Sequence, residues 1–128
     1  MINPIDRDDL RQRVRRAEPF RSFCIDDFLE PQSAEQVLAA FPSYEEALKV
    51  GRSFSAVNER GKVQVTDSQK FAAPLAELNR ELAAPEFLGL LSYVFDIVNL
   101  LATDQLVGGG IHQTVTSPSG NSIDRLIF

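Results

Sequence analysis

One cysteine, one histidine and no long apolar run narrow the chemistry open to this chain before any motif is considered. A single cysteine, Cys24, excludes an intramolecular disulfide. With His112 as the only histidine, a zinc site built from protein ligands alone cannot be assembled either. Such sparing cysteine usage fits a reducing compartment, and the expected location is cytoplasmic. The opening residues, MINPIDRDD, have neither the basic start nor the apolar centre of a secretory signal. The most apolar stretch, FLGLLSYVFDIVNLL, is about 15 residues long and contains Asp96 and Asn99, whereas a bilayer span needs roughly 20. It is expected to form a buried helix, and no membrane partner is expected.

Positive charge is also in short supply. Lys and Arg number 13 against 18 Asp and Glu, for a net charge of −5, so nucleic acid is not an expected partner. The basic residues cluster early, in RDDLRQRVRR, but Asp8 and Asp9 lie among them, and the segment reads as a solvated helix face. Nucleotide motifs are missing: Gly108–Gly110 is not followed by Lys-Ser/Thr, and there is no G-x-G-x-x-G. The G-x-S-x-G turn of serine hydrolases is absent as well.

What is present suits a single globular domain over residues 1–128, with 44% hydrophobic residues and a core of modest size. Residues 6–17 read as a helix with Leu10, Val14 and Ala17 on one stripe. PFRSFCIDDFL suits a short buried strand through Phe20, Phe23, Cys24 and Ile25, with Cys24 as a small core residue. EPQSAEQVLAAFP is a strong helix: Pro31 fits its first turn, Ala34, Val37, Leu38 and Phe41 fall at helical spacing, and Pro42 stops it. SYEEALK adds one or two turns.

In GRSFSAVNERGKVQVTD the period changes to two, and Phe54 and Val57 face Val63 and Val65 across NERG as an irregular hairpin. A helix follows, capped by Asp67 or Ser68. Another runs after Pro85 with a stripe of Phe87, Leu90, Leu91, Val94, Phe95 and Val98. Two final strands, in QLVGGGIHQTVT and NSIDRLIF, are joined by an SPSG turn. Helices at the N-terminal side and strands mainly at the other give an α+β class. The few strands make an incomplete antiparallel sheet with open edges, the expected front part of a larger β-domain.

Few residues could carry chemistry. Asp26–Asp27 and Glu45–Glu46 are adjacent pairs that diverge in regular structure, as expected for a turn and a solvated helix face. His112 is different. In a strand from 111 to 116 it shares a face with Thr114 and Thr116, while Ile111, Gln113 and Val115 take the other. That polar, β-branched face suits the lining of a cavity, although a strand histidine can equally be structural.

Taken in order, PFRSFCIDDFLEPQSAEQVLAAFPS, KVQVTD, LAELNRELAAPEFLGLLSYVFDI and above all LVGGGIHQT resemble the bacterial 2-oxoglutarate/Fe(II)-dependent oxygenases of the prolyl-hydroxylase-like type, from about Phe20 to Thr114. The resemblance implies helices packed on a double-stranded β-helix, a jelly-roll relative. It also implies Fe(II) and 2-oxoglutarate as cofactors, with the iron held by an H-x-D pair and a distant histidine. The family reaction would be hydroxylation of an unactivated C–H bond, on a prolyl residue or a small molecule. In such relatives the glycine-rich strand leads into a pattern like L-D-V-H-V-D-F. Here Ile123 and Asp124 match its start, but Leu126 stands at the iron histidine and Phe128 at the aspartate. His112 and Thr114 match the approach strand and would be active-site wall rather than ligands.

Three expectations follow. The first is a chain of oxygenase type, truncated or altered at the metal motif and catalytically incompetent alone. The second is a non-catalytic interaction module that forms a homodimer through the C-terminal strand, where RLIF offers an apolar edge. The third is a structural protein without a ligand.

Overall fold

The computed structural model describes residues 1–54, 61–103, 106 and 109–114, with the backbone of 125–127. Its class is α+β. Helices α1 (Arg7–Arg16), α2 (Pro31–Ala39) and α3 (Tyr44–Val50) precede strands β1 (Arg52–Phe54) and β2 (Lys62–Val65). Helices α4 (Ala73–Leu82) and α5 (Pro85–Phe95) follow, then β3 (Gly110–Thr114) and β4 (Arg125–Ile127). The strands form one antiparallel sheet in the order β1-β2-β3-β4. Among the described residues no helix is long and apolar enough to cross a membrane.

Local chemistry sets most helix ends. Asp6 accepts hydrogen bonds from the Asp8 and Asp9 amides and starts α1. Ser43 and Glu46 close a reciprocal capping box at the start of α3, which also accounts for Glu46; Glu45 is exposed. Helices α2, α4 and α5 each carry a proline in the first turn, where its missing N–H has no intrahelical partner to lose. Asp67 caps only a short 3-10 turn, Ser68–Lys70, and α4 starts afresh after Ala72.

Two apolar clusters hold these elements. The larger joins one face of the sheet (Val63, Val65, Ile111) to Val37, Ala47, Phe71, Leu75 and Leu78 from the helical side. The smaller, Leu10 and Val14 of α1 with Val94 of α5, is edged by Ile5, Ile25, Leu90 and Phe95. Gly51 lies where α3 turns directly into β1. A Cβ there would stand 2.8 Å from both the Gln64 carbonyl oxygen and Val63 Cγ1, so the site has no room for a side chain.

Several sequence expectations need correction. Residues 20–25 form no strand: Phe20 is 70% exposed and Cys24 is exposed rather than buried. Their neighbours are helices instead. Ile25 packs under the α1–α5 cluster, Phe23 lies 5.6 Å from the Phe95 ring, and Arg13 donates to the Cys24 carbonyl at 2.6 Å. The strand-like pairing of this region comes slightly later, between Ile2 and Leu29. On α2 the buried face is Ser33 and Val37, whereas Ala34 and Leu38 face out. Val98 is 83% exposed because α5 ends at Phe95 and the next residue, Asp96, takes left-handed backbone (φ 58°). Val57, Val115, Thr116 and the SPSG turn lie outside the described residues.

Asp96 also explains the basic cluster of α1. Its carboxylate accepts from Arg11 and, at 3.3 Å, from Arg15, and Arg21 lies 3.8 Å away. Arg11 also donates to the Tyr93 carbonyl at 2.8 Å, and Arg21 to the Phe95 carbonyl at 3.3 Å. These are carbonyls of the last turn of α5, which has no intrahelical donors for them and carries the negative end of the helix dipole. Tyr93 completes the clasp: its hydroxyl donates to Asp8 at 2.6 Å, and the Arg11 guanidinium lies 4.3 Å from its ring centre. Asp96→Asn is expected to lower stability by about 1 kcal/mol, a modest figure because the carboxylate is partly exposed. The gap between the variant and the parent should narrow in high salt, as read by urea denaturation at two ionic strengths.

Candidate functional site

Alternation along β2 and β3 sorts their side chains onto two faces. Val63 pairs with Gln113 and Val65 with Ile111 on the helix-covered face. Gln113, although polar, is buried there, and its amide donates to the Pro42 carbonyl. The opposite face carries two cross-strand rows. Arg52, Gln64 and His112 are successive partners in one, and Phe54, Lys62 and Thr114 in the other. His112 and Thr114, expected together on one face, do share it.

Exposure falls across the first row. Arg52 is exposed, Gln64 half-buried and His112 only 9% exposed. In the second row Phe54 is half-buried, with the Arg52 guanidinium 5.5 Å and the Lys62 ammonium 5.1 Å from its ring centre. No carboxylate occupies a position in either described row. A chain with a net charge of −5 thus gathers cations on one side of its sheet. The sequence signal for this was the two-residue period around RSF and KVQV, which was read for hairpin formation and not for the charge it places beside His112.

Gly110 brings β3 against β2. Its φ of +108° is open to glycine and strained for other residues, and a Cβ on it would run into the Val65 carbonyl. The preceding Gly109 carbonyl accepts from the Gln64 side-chain amide at 2.8 Å. It also serves the imidazole, through a hydrogen bond that favours the protonated ring. His112 Nε2 is buried and has no hydrogen-bond partner. Burial, and then the charge of Lys62, outweigh that bond and hold the imidazole below its ordinary pKa of 6.5.

These residues do not fit an Fe(II) facial triad, which needs two imidazoles and a carboxylate converging on one point. The chain has one histidine, and the described residues contain no group of three His, Cys, Asp or Glu side chains placed to hold a metal. Position 126, matched by resemblance to the iron histidine, pairs with Ile111, whereas His112 pairs with position 125. Asp124 and Phe128 lie outside the described residues.

An apolar cavity of about 520 Å³ opens between α4, α5 and residues 100–103 and 106, lined by Leu82, Phe87, Leu88, Leu91 and Leu101 among others. None of its lining residues is titratable, so it offers no acid, base or nucleophile. The rows around His112 are the better site.

No family model, curated protein or solved structure matches this chain.

A lowered imidazole pKa fixes the sign of a pH effect. Between the unfolded value near 6.5 and the lower folded one, the unfolded chain binds more protons. The stability tied to neutral His112 is therefore complete above pH 6.5 and is lost as pH falls below it. Urea midpoints measured from pH 7 downward should fall more steeply for the parent than for His112→Gln. Parallel curves would show that the imidazole is not held neutral.

Proposed function

We propose that this chain is a domain of the 2-oxoglutarate/Fe(II) oxygenase type that keeps the glycine-rich approach strand but not the metal ligands, and that the 128-residue chain does not turn over by itself. The observation that carries the proposal is β3. GIHQT runs through a sheet whose one face is covered by helices and whose other face bears His112 and Thr114. A helix-backed sheet with a polar opposite face is what the front portion of a double-stranded β-helix would present. On this reading His112 and Thr114 are wall residues, and Leu126 and Phe128 replace the first two iron ligands.

Anaerobic calorimetry of Fe(II) against the purified chain, with and without 2-oxoglutarate, tests this. No saturable binding is expected in either titration. Tight binding strengthened by 2-oxoglutarate would overturn the assignment of positions 126 and 128 and the inactivity inferred from it.

A second reading, a self-association module, draws on the position of β4 at the edge of the described sheet. An edge strand offers backbone donors and acceptors that a second copy could pair with. Sedimentation across a wide concentration range should then show reversible dimers. A monomer throughout would remove this reading.

A further inference from the structure

We infer that the apolar cavity between α4, α5 and the loop at residues 100–103 is a binding site for an uncharged, largely hydrocarbon small molecule with one polar group. The argument starts from α5, which is apolar on two sides. Leu90 and Val94 pack towards α1, and protein closes that side. Phe87 and Leu91, four positions apart, share another side with Leu88 and line the cavity of about 520 Å³. All three are only half-buried. Apolar surface left in this state keeps part of its cost of contact with water, which an apolar occupant would relieve.

The remaining walls come from separate elements, so a ligand would be held from more than one direction. Ala83 lines the cavity from the end of α4, Leu101 from the loop and Phe23 from the N-terminal segment. Phe23 is kept in place by its ring contact with Phe95 at 5.6 Å. Leu101, otherwise 83% exposed, would gain cover from the same occupant. The volume falls within the range of about 300–1,000 Å³ typical of small-molecule sites.

The lining also sets the chemistry of the ligand. No Asp, Glu, Lys, Arg or His contributes to it. A charged group taken inside would lose its water without gaining a counter-charge, which is costly. Asn79 and Thr103 are the polar side chains of the lining. Asn79 stands on α4, and its amide can both donate and accept, so it suits either a hydroxyl or a carbonyl on the ligand. The cavity shares no lining residue with the rows around His112. This inference therefore does not depend on the oxygenase reading, and the iron titration can succeed or fail separately.

The probe is n-octanol, titrated into the isotope-labelled chain and followed by backbone amide NMR. Octanoate and octylammonium at neutral pH serve as charged counterparts of equal chain length. Octanol should shift the amides of α4, α5 and residues 100–103 saturably, and both ions should bind at least roughly tenfold more weakly. Asn79→Ala should weaken octanol roughly fivefold, the scale of one hydrogen bond. Ala83→Phe, which places a ring in the cavity, should abolish the saturable shifts. Ala102→Phe fills the same space from an exposed loop position that leaves both helices untouched, and amide spectra without ligand check both folds. Shifts that stay linear up to the solubility of octanol, or that spread equally to exposed residues elsewhere such as Leu38, would overturn the site. Equal affinity for octanol and octanoate would overturn the ligand class. Unchanged octanol binding in both phenylalanine variants would overturn the location.

Discussion

Gly110 takes a φ of +108° as the chain enters β3, and the space a Cβ would need there is filled by the Val65 carbonyl. Backbone meets backbone at that point, which lets the β2–β3 ladder form in the observed register. The register then decides everything on both faces. Ile111 joins Val65 over the helices, and His112 falls beside Gln64 on the other side. A slip of one residue would exchange the two sets, with an imidazole among leucines and an isoleucine among cations. The glycine thus governs the position of the histidine two residues later.

The helical half depends on a different kind of constraint. Its cluster of Leu10, Val14 and Val94 is small, and α1 and α5 meet side by side over few apolar residues. Electrostatics supplement it: Arg11, Arg15 and Arg21 converge on Asp96 and on the last carbonyls of α5. Residues 20–25 are tied to the same corner by Phe23 against Phe95 and by Arg13 at the Cys24 carbonyl. The acidic cap is thus central to how the N-terminal segment is held, although no single contact in it is strong.

The sequence was most legible where local rules act alone. Pro31 and Pro85 mark helix starts by chemistry internal to each segment, and alternation placed His112 and Thr114 on one face, whereas the helix read from Asp67 or Ser68 begins only after Ala72. It misled where burial depends on distant partners. Phe20, Phe23, Cys24 and Ile25 look like a buried strand by composition, but no strand pairs with them and Ile25 goes to the helices. Leu38 and Val98 continue apolar stripes whose helices do not bury them, α2 because its inner face is Ser33 and Val37, α5 because it has already ended. The cationic rows were invisible for the same reason. Arg52 and His112 are 60 positions apart and become neighbours in one row only through two successive strand pairings.

The chemistry of the site follows from the scarcity of histidine. With one imidazole, no arrangement of the described residues gives the nitrogen-rich ligand set that non-haem iron requires. The same imidazole is buried, and its Nε2 has no hydrogen-bond partner. Burial, and then the charge of Lys62, disfavour its protonated form, and Arg52 and Lys62 both lie over the Phe54 ring.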